Sequence, residues 1–335
     1  MPPLLSVRNL DVTFGTGPDA VRAVRGLSFD VAPGEIVAIV GESGSGKSNA
    51  VLGLLDLVRD PGRRACDSIV FDGTELAGLG NRQMRRIRGR RIAMIFQDPM
   101  TALNPLITVG RQLSDLAVEH LGLGKAAARD RALEVLEKVG ITAAAERMKS
   151  YPHQLSGGIR QRVMIAMALI CEPDLLIADE PTTALDVTIQ AQIIELVKAL
   201  QAEMGLAIIW ITHDLGVVAA LADRVIVMYA GRMIESGSAD DIFNRTGHPY
   251  TRALLASMPR VDMAPTGELQ ALPSGGQAGE GCAFRLRCAR ATETCAANAP
   301  ELADLAPPAG EAPGAAVEGA SHMASCWHPE GARTA

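Results

Sequence analysis

The chain has 335 residues, 48% hydrophobic and 21% charged, a globular balance that excludes a disordered chain. That length exceeds what one core usually takes, so two units, or one large unit with an appendage, are expected. Acidic residues outnumber basic ones by 38 to 32, for a net charge of -6, which argues against a nucleic-acid partner bound over the whole surface.

With 2 Trp, 3 Tyr and 6 Phe, the core must rest on aliphatic side chains. A membrane span needs about 18 apolar residues in a row. The longest runs, residues 163–171 and 206–211, fall well short of that. The opening stretch, MPPLLSVRNLDVTF, lacks the basic-then-apolar order of a signal peptide. A cytoplasmic chain is therefore expected, one whose membrane work would need other subunits.

Residues 4–40 read as short strands with turns, Pro33-Gly34 marking a tight turn between two alternating segments. The run IVAIV (36–40) has the pattern of a strand buried on both faces of a parallel sheet. Glycine-rich residues follow at once, then a helical stretch, AVLGLLDLV. The same order recurs at DLLIAD (174–179) and LAIIWIT (206–212), the first leading into TIQAQIIELVKALQAEM. Strands alternating with helices predict an α/β fold with a mainly parallel sheet. Residues 100–170 are helical in pattern and are expected to form a helical subdomain. From Asp241 Gly, Pro and Ala rise, which divides the chain into 1–240 and a loop-rich 241–335.

Residues 41–48, GESGSGKS, form a complete phosphate-loop pattern between a buried strand and a helix. Gly41, Gly44 and Gly46 allow the backbone to wrap closely, so that amide N–H groups point at phosphate oxygens. Lys47 can reach the β- and γ-phosphates, and the Ser48 hydroxyl can ligate Mg²⁺. Glu42, Ser43, Ser45 and Asn49 complete the expected nucleotide-binding stretch. The full pattern in this setting predicts a nucleoside triphosphate ligand. DLLIADE (174–180) ends a buried strand in Asp179-Glu180, which would stand at the C-terminal edge of the sheet. Asp179 suits the Mg²⁺ water shell, and Glu180 suits polarising the attacking water. The plain alternative is that these carboxylates cap a helix begun by Pro181.

Residues 155–162, LSGGIRQR, place Ser156, Gly157 and Gly158 at a helix start, a second anion-binding nest. A chain with one phosphate loop has one triphosphate of its own, so the second nest calls for another chain's nucleotide. With these motifs in this order, residues 4 to about 260 resemble the ATP-binding cassette (ABC) family. The resemblance implies a P-loop ABC ATPase core, with an antiparallel β subdomain and a helical subdomain carrying the signature.

It also implies residue roles. Phe14 looks like the aromatic that stacks on adenine, against the alternative of a core Phe in an edge strand. Gln97 resembles the glutamine that contacts Mg²⁺ and the lytic water and reports to membrane subunits. Ser156 and Gly158 would touch the γ-phosphate of the opposite subunit, and Ala184-Leu185-Asp186 matches the loop that crosses to the partner site. His213, in WITHD, matches the switch histidine that holds the γ-phosphate and positions Glu180. Each site would then be split between two chains, closed by ATP and opened after hydrolysis. Asn49 and Ile159 depart from the commonest family wording, and neither is expected to abolish activity.

FQDPMTALNPLITVG, the stretch from Gln154 to Ile193 and GHPYTRALLASMP resemble one branch more closely, the ATP-binding subunits of bacterial dipeptide and oligopeptide importers. That resemblance implies a homologous second ATPase as heterodimer partner, two membrane permeases, and an extracytoplasmic peptide-binding protein acting through them. The chain would sit at the cytoplasmic face of the inner membrane. The same role for another small solute, such as nickel or a modified peptide, stays open. DNA-repair cassettes usually carry a long coiled coil before the signature, and ribosome-associated ones carry two cassettes. This chain has neither, and no nucleic-acid partner is expected. The run RQMRRIRGRR (82–91) reads as a solvated face, with anionic lipid or nucleic acid as the alternative.

Cys282, Cys288, Cys295 and Cys326 remain. Disulfides are disfavoured in a cytosolic chain, and four thiolates suit a [4Fe–4S] cluster or zinc. The wide spacing fits a cluster better than zinc, and unligated thiols are the third reading. Importers of this branch sometimes carry a similar four-Cys element that resembles an iron–sulfur site. Residues 307–320 would then form a loop closed by Cys326.

Overall fold

The computed structural model describes residues 2–97, 102–183, 185–258, 280–305 and 321–329. The chain forms two compact units, each assembled from separate stretches. One comprises Met1–Ser6, Asp30–Ile36 and Ile69–Ile211; the other comprises Val7–Phe29, Val37–Ser68 and Thr212–Ala335.

The first unit is built on parallel strands. Ile92–Ile95 pairs with Leu175–Asp179 (Ile92 opposite Leu175), which pairs in turn with Ala207–Thr212 (Leu175 opposite Ala207). Every residue of the last two strands is buried, as a parallel strand covered on both faces requires. Helices dominate the rest: Val109–Leu121, Lys125–Lys138, Gly157–Leu169 and Val187–Met204. The first of these is amphipathic in the ordinary way. It buries Val109, Leu113 and Ala117 and ends at Gly122, whose left-handed φ of 68° closes the last turn. Small residues on its neighbour, Ala128 and Ala132, are fully buried and let the helices approach closely.

Arginines of the 82–91 run pair within this unit. Arg91 reaches Asp174 at 2.8 Å and Asp72 at 2.9 Å while lying over the Phe71 ring, and Arg88 bonds Asn81. Those partners favour the solvated-face reading for the arginines that have them.

In the second unit Ile36–Val40 pairs in parallel with Arg224–Tyr229, and that strand runs antiparallel to Arg232–Ser238, with a bulge at Val227/Met228. Two short strands from the chain's end extend this sheet. Met323–Ala324 pairs with Glu235 and Ser236, and Ala303–Asp304 pairs with Met323–Ala324. Leu5–Phe14 and Gly62–Ala65 form a separate antiparallel pair. The core under the C-terminal segment is aromatic. Tyr229, Tyr250 and Phe284 are all buried, with ring centroids 4.7–5.4 Å apart, a favourable tilted arrangement.

Among the described residues no helix is long and apolar enough to cross a membrane.

Candidate active site

The phosphate loop lies in the second unit. It leaves the fully buried strand Ile36–Val40 and enters the helix Lys47–Leu54 through Gly46. Gly41 and Gly46 have φ of 151° and 103°, and a Cβ on either would collide with a backbone carbonyl, that of Met228 or Ala23. Only glycine fits both demands. Lys47 is buried, and its Nζ donates to the carbonyls of Gly41 at 2.8 Å and Glu42 at 3.0 Å. The Ser45 hydroxyl is buried and has no hydrogen-bond partner among the described residues, so the loop has polar capacity to spare for a phosphate. Leu5–Phe14 crosses the loop's helix closely: a Cβ on Gly53 would meet Val12 and Leu10. Phe14, two residues beyond Val12, is half-buried against Gly62.

Thr212 and Asp214 shape the loop that carries His213. The Thr212 hydroxyl accepts the Asp214 N–H at 3.0 Å, and the Asp214 carboxylate accepts the N–H groups of Gly216 and Val217 at the start of Leu215–Leu221. His213 itself is exposed.

The carboxylate pair lies in the first unit. Asp179 is buried at the end of its strand. Glu180 continues the ladder, its N–H donating to the Ile211 carbonyl at 2.9 Å, and then turns left-handed at φ 46°. A non-glycine residue there stores strain of about 1–3 kcal/mol, held by its surroundings. Its carboxylate accepts hydrogen bonds from Gln97 Nε2 at 3.2 Å and from the Thr183 hydroxyl at 3.1 Å. The structure thus brings together Gln97 and Glu180, which lie 83 residues apart in the chain.

Ser156 is the N-cap residue of Gly157–Leu169, yet its side chain makes no capping bond and is exposed. The hydroxyl and the helix's first N–H groups are therefore presented outward, where an anion suits them. Gly158 is glycine for packing, since a Cβ there would lie 2.9 Å from Ile189 Cγ2. Asp186 caps Val187–Met204, accepting the Ile189 N–H at 2.9 Å. Ala184 of the same loop lies outside the described residues.

The four C-terminal cysteines form no disulfide. All four line one cavity of about 10 Å³, together with His248, Phe284 and His328. Burial first, and then the neighbouring thiols, push Cys326 up to about 11. Among the described residues no group of three or more His, Cys, Asp or Glu is arranged to hold a metal ion. The donor type fits a soft metal; the present packing leaves room for about one water. The predicted loop 307–320 lies outside the described residues.

Comparison with known proteins settles the family. The chain is 49% identical over 332 residues to the dipeptide transport ATP-binding protein DppD of Bacillus subtilis (strain 168), covering 98% of this chain and 95% of that one. It is 50% identical over 303 residues to DppD of Haemophilus influenzae, covering 89% and 92%. The chain belongs to the ABC transporter family. Residues 24–183 of this ABC ATPase match the ABC transporter model, and residues 234–295 match the oligopeptide/dipeptide transporter C-terminal region. Its fold is that of solved cassettes. The dimeric post-hydrolysis state of the ATP-binding cassette MJ0796, bound to ADP and Pi, aligns with TM-score 0.63 and 29% identity over 70% of this chain and 98% of that one.

Sequence reasoning missed three features of this cassette. Thr212 and Asp214 were legible, because an Asp before LGVV is an N-cap signal. The Glu235 cage was not. This fully buried carboxylate accepts the N–H groups of Gly247 and His248 and meets His322 Nε2 at 2.8 Å. Nor was the grip of Arg287 and Tyr250 on Glu42.

Proposed function

We propose that this ABC ATPase hydrolyses ATP to drive import of dipeptides or oligopeptides through two membrane permeases, paired with a homologous second ATPase. What carries the reading is likeness to dipeptide ATP-binding proteins along nearly the whole chain, C-terminal region included. In this reading Gly41 to Asn49 hold the phosphates, Phe14 meets adenine, and Ser48, Asp179 and Gln97 serve Mg²⁺, whose charge would offset that developing on the phosphates. Glu180 orients and deprotonates water, His213 meets the γ-phosphate, and Ser156, Gly157, Gly158 and Asp186 serve the partner's nucleotide.

The Gln97–Glu180 hydrogen bond supports coupling to a permease. Gln97 directly follows Phe96, which is 44% exposed and lines an apolar cavity of about 180 Å³ with Met94, Leu103, Leu116 and Met164. A cytoplasmic helix of a permease seated there would lie one residue from a catalytic side chain. The chain would work peripherally at the cytoplasmic face of the inner membrane, fed by an extracytoplasmic peptide-binding protein. Residues 1–240 would be the nucleotide-binding domain, with the helical subdomain at about 100–170, and 241–335 the oligopeptide-type extension.

The test is reconstitution with the partner ATPase and permeases in proteoliposomes. Peptide-dependent ATP hydrolysis and uptake are expected, both lost in Glu180→Gln. Uptake of nickel but not peptide would move the chain to the other-solute reading.

We also propose a [4Fe–4S] cluster on Cys282, Cys288, Cys295 and Cys326, supported by the four thiols lining one cavity. Occupancy would require that cavity to widen. About four iron and four acid-labile sulfide per anaerobically purified chain are expected. One zinc, or no metal, would sink it.

A further inference from the structure

Glu42, the second residue of the phosphate loop, is held from three directions. Its carboxylate receives both arms of the Arg287 guanidinium, Nη1 to Oε2 at 2.9 Å and Nη2 to Oε1 at 2.8 Å. Its backbone N–H donates to the buried Tyr250 hydroxyl at 2.9 Å. Lys47 Nζ donates to the Gly41 carbonyl of that same peptide unit at 2.8 Å and to the Glu42 carbonyl at 3.0 Å, so the backbone that Tyr250 pins also anchors the phosphate-binding lysine.

Arg287 is itself well placed. Its side chain is only 10% exposed, lies over the Tyr229 and Phe284 rings and closes the short turn Arg285–Arg287 immediately before Cys288. That turn hangs on the cysteine segment. Arg285 N–H donates to the Cys282 carbonyl, and Cys282 N–H to that of Cys295. A bidentate arginine–carboxylate pair fixes geometry as well as charge. Here it also neutralises a carboxylate in the loop that must receive a polyanion.

We propose that Arg287 and Tyr250 are positioning residues of the phosphate loop, through which the folded state of the cysteine segment sets affinity for nucleotide. This rests on the loop's role in binding ATP and is independent of what the thiols hold.

The test is a double-mutant cycle in Kd for ATP on the full chain, with thermal melting alongside. Arg287→Ala should weaken ATP about 5–20-fold, Arg287→Lys less, and Glu42→Gln about 3-fold or more. The Glu42→Gln/Arg287→Ala double variant should bind no worse than Arg287→Ala, because the two act as one unit. Linkage supplies a readout that a merely structural role would not move. A non-hydrolysable ATP analogue should slow hydrogen exchange at 282–288 in wild type, and not in Arg287→Lys or Glu42→Gln. Unchanged Kd in Glu42→Gln and Arg287→Lys, additive losses, or nucleotide-independent exchange would overturn the proposal, even if Arg287→Ala fails to fold. Failure of the wild-type chain to bind ATP would instead remove the role of the loop on which it rests.

Discussion

Gln97 Nε2 lies 3.2 Å from Glu180 Oε2, and Glu180 occupies a left-handed backbone position at φ 46°. The first contact gives the carboxylate a fixed direction; the second shows that surrounding structure tolerates strain to obtain it. Replacing Glu180 by Gln keeps the shape and removes the proposed base. ATP hydrolysis should fall about 10²–10⁴-fold, the range for a general base, with Kd for ATP within a few-fold of wild type. Single-turnover hydrolysis and equilibrium binding check this. Residual turnover within tenfold of wild type would exclude Glu180 as the base.

Gly158 bears on packing as well as on the signature. A Cβ there would press on Ile189 Cγ2 at 2.9 Å, so Gly158→Ala should destabilise the fold by about 1–3 kcal/mol, the usual range for overpacking. Trimming the obstacle in Gly158→Ala/Ile189→Ala should recover part of that loss beyond what the separate effects predict. Denaturant melts of the four proteins measure the coupling, and simple additivity would refute it.

Asp214 offers a smaller, cleaner effect. Its carboxylate caps the helix Leu215–Leu221 through Gly216 N–H at 2.8 Å. Asp214→Ala should cost about 1 kcal/mol in stability and Asp214→Asn much less, since either Asp or Asn can cap. Thermal melting distinguishes them, and equal losses would mean the cap is not the source.

What could be read from sequence divides by distance along the chain. The phosphate loop, the buried strands and the signature are local: glycine spacing, apolar runs and a serine before a helix announce themselves within a few residues. Ser156 stands at a helix start, as its place before two glycines suggests, but only the structure shows that its hydroxyl leaves the cap unfilled. Gly158 reads as part of an anion nest, whereas its contact with Ile189 depends on how two helices cross. Arg287 and Glu42 lie 245 residues apart, and nothing in either neighbourhood names the other. His322 and Glu235, 87 apart, meet because a two-residue strand pairs beside Glu235. Such pairs follow from topology, which local pattern does not carry.

Glu235 also makes stability depend on pH. Burial by itself would push the carboxylate up, but the His322 partner and the N–H groups of Gly247 and His248 outweigh it and hold Glu235 below its ordinary value of 4.5. A depressed carboxylate contributes stability above the unfolded value, and that contribution is lost as pH falls through the lower folded value. Wild type should therefore lose stability below about pH 4.5. Glu235→Gln removes the charge that His322 and the loop donors face, and should be destabilised by about 3–5 kcal/mol near neutrality. Its deficit against wild type should shrink as pH falls below 4.5 and on through the lower folded value, where the wild-type carboxylate too becomes neutral. Denaturant melts of the two proteins across that range read the difference directly. A deficit that stays constant with pH would show that the lost packing, and not the charge, is what the cage supplies.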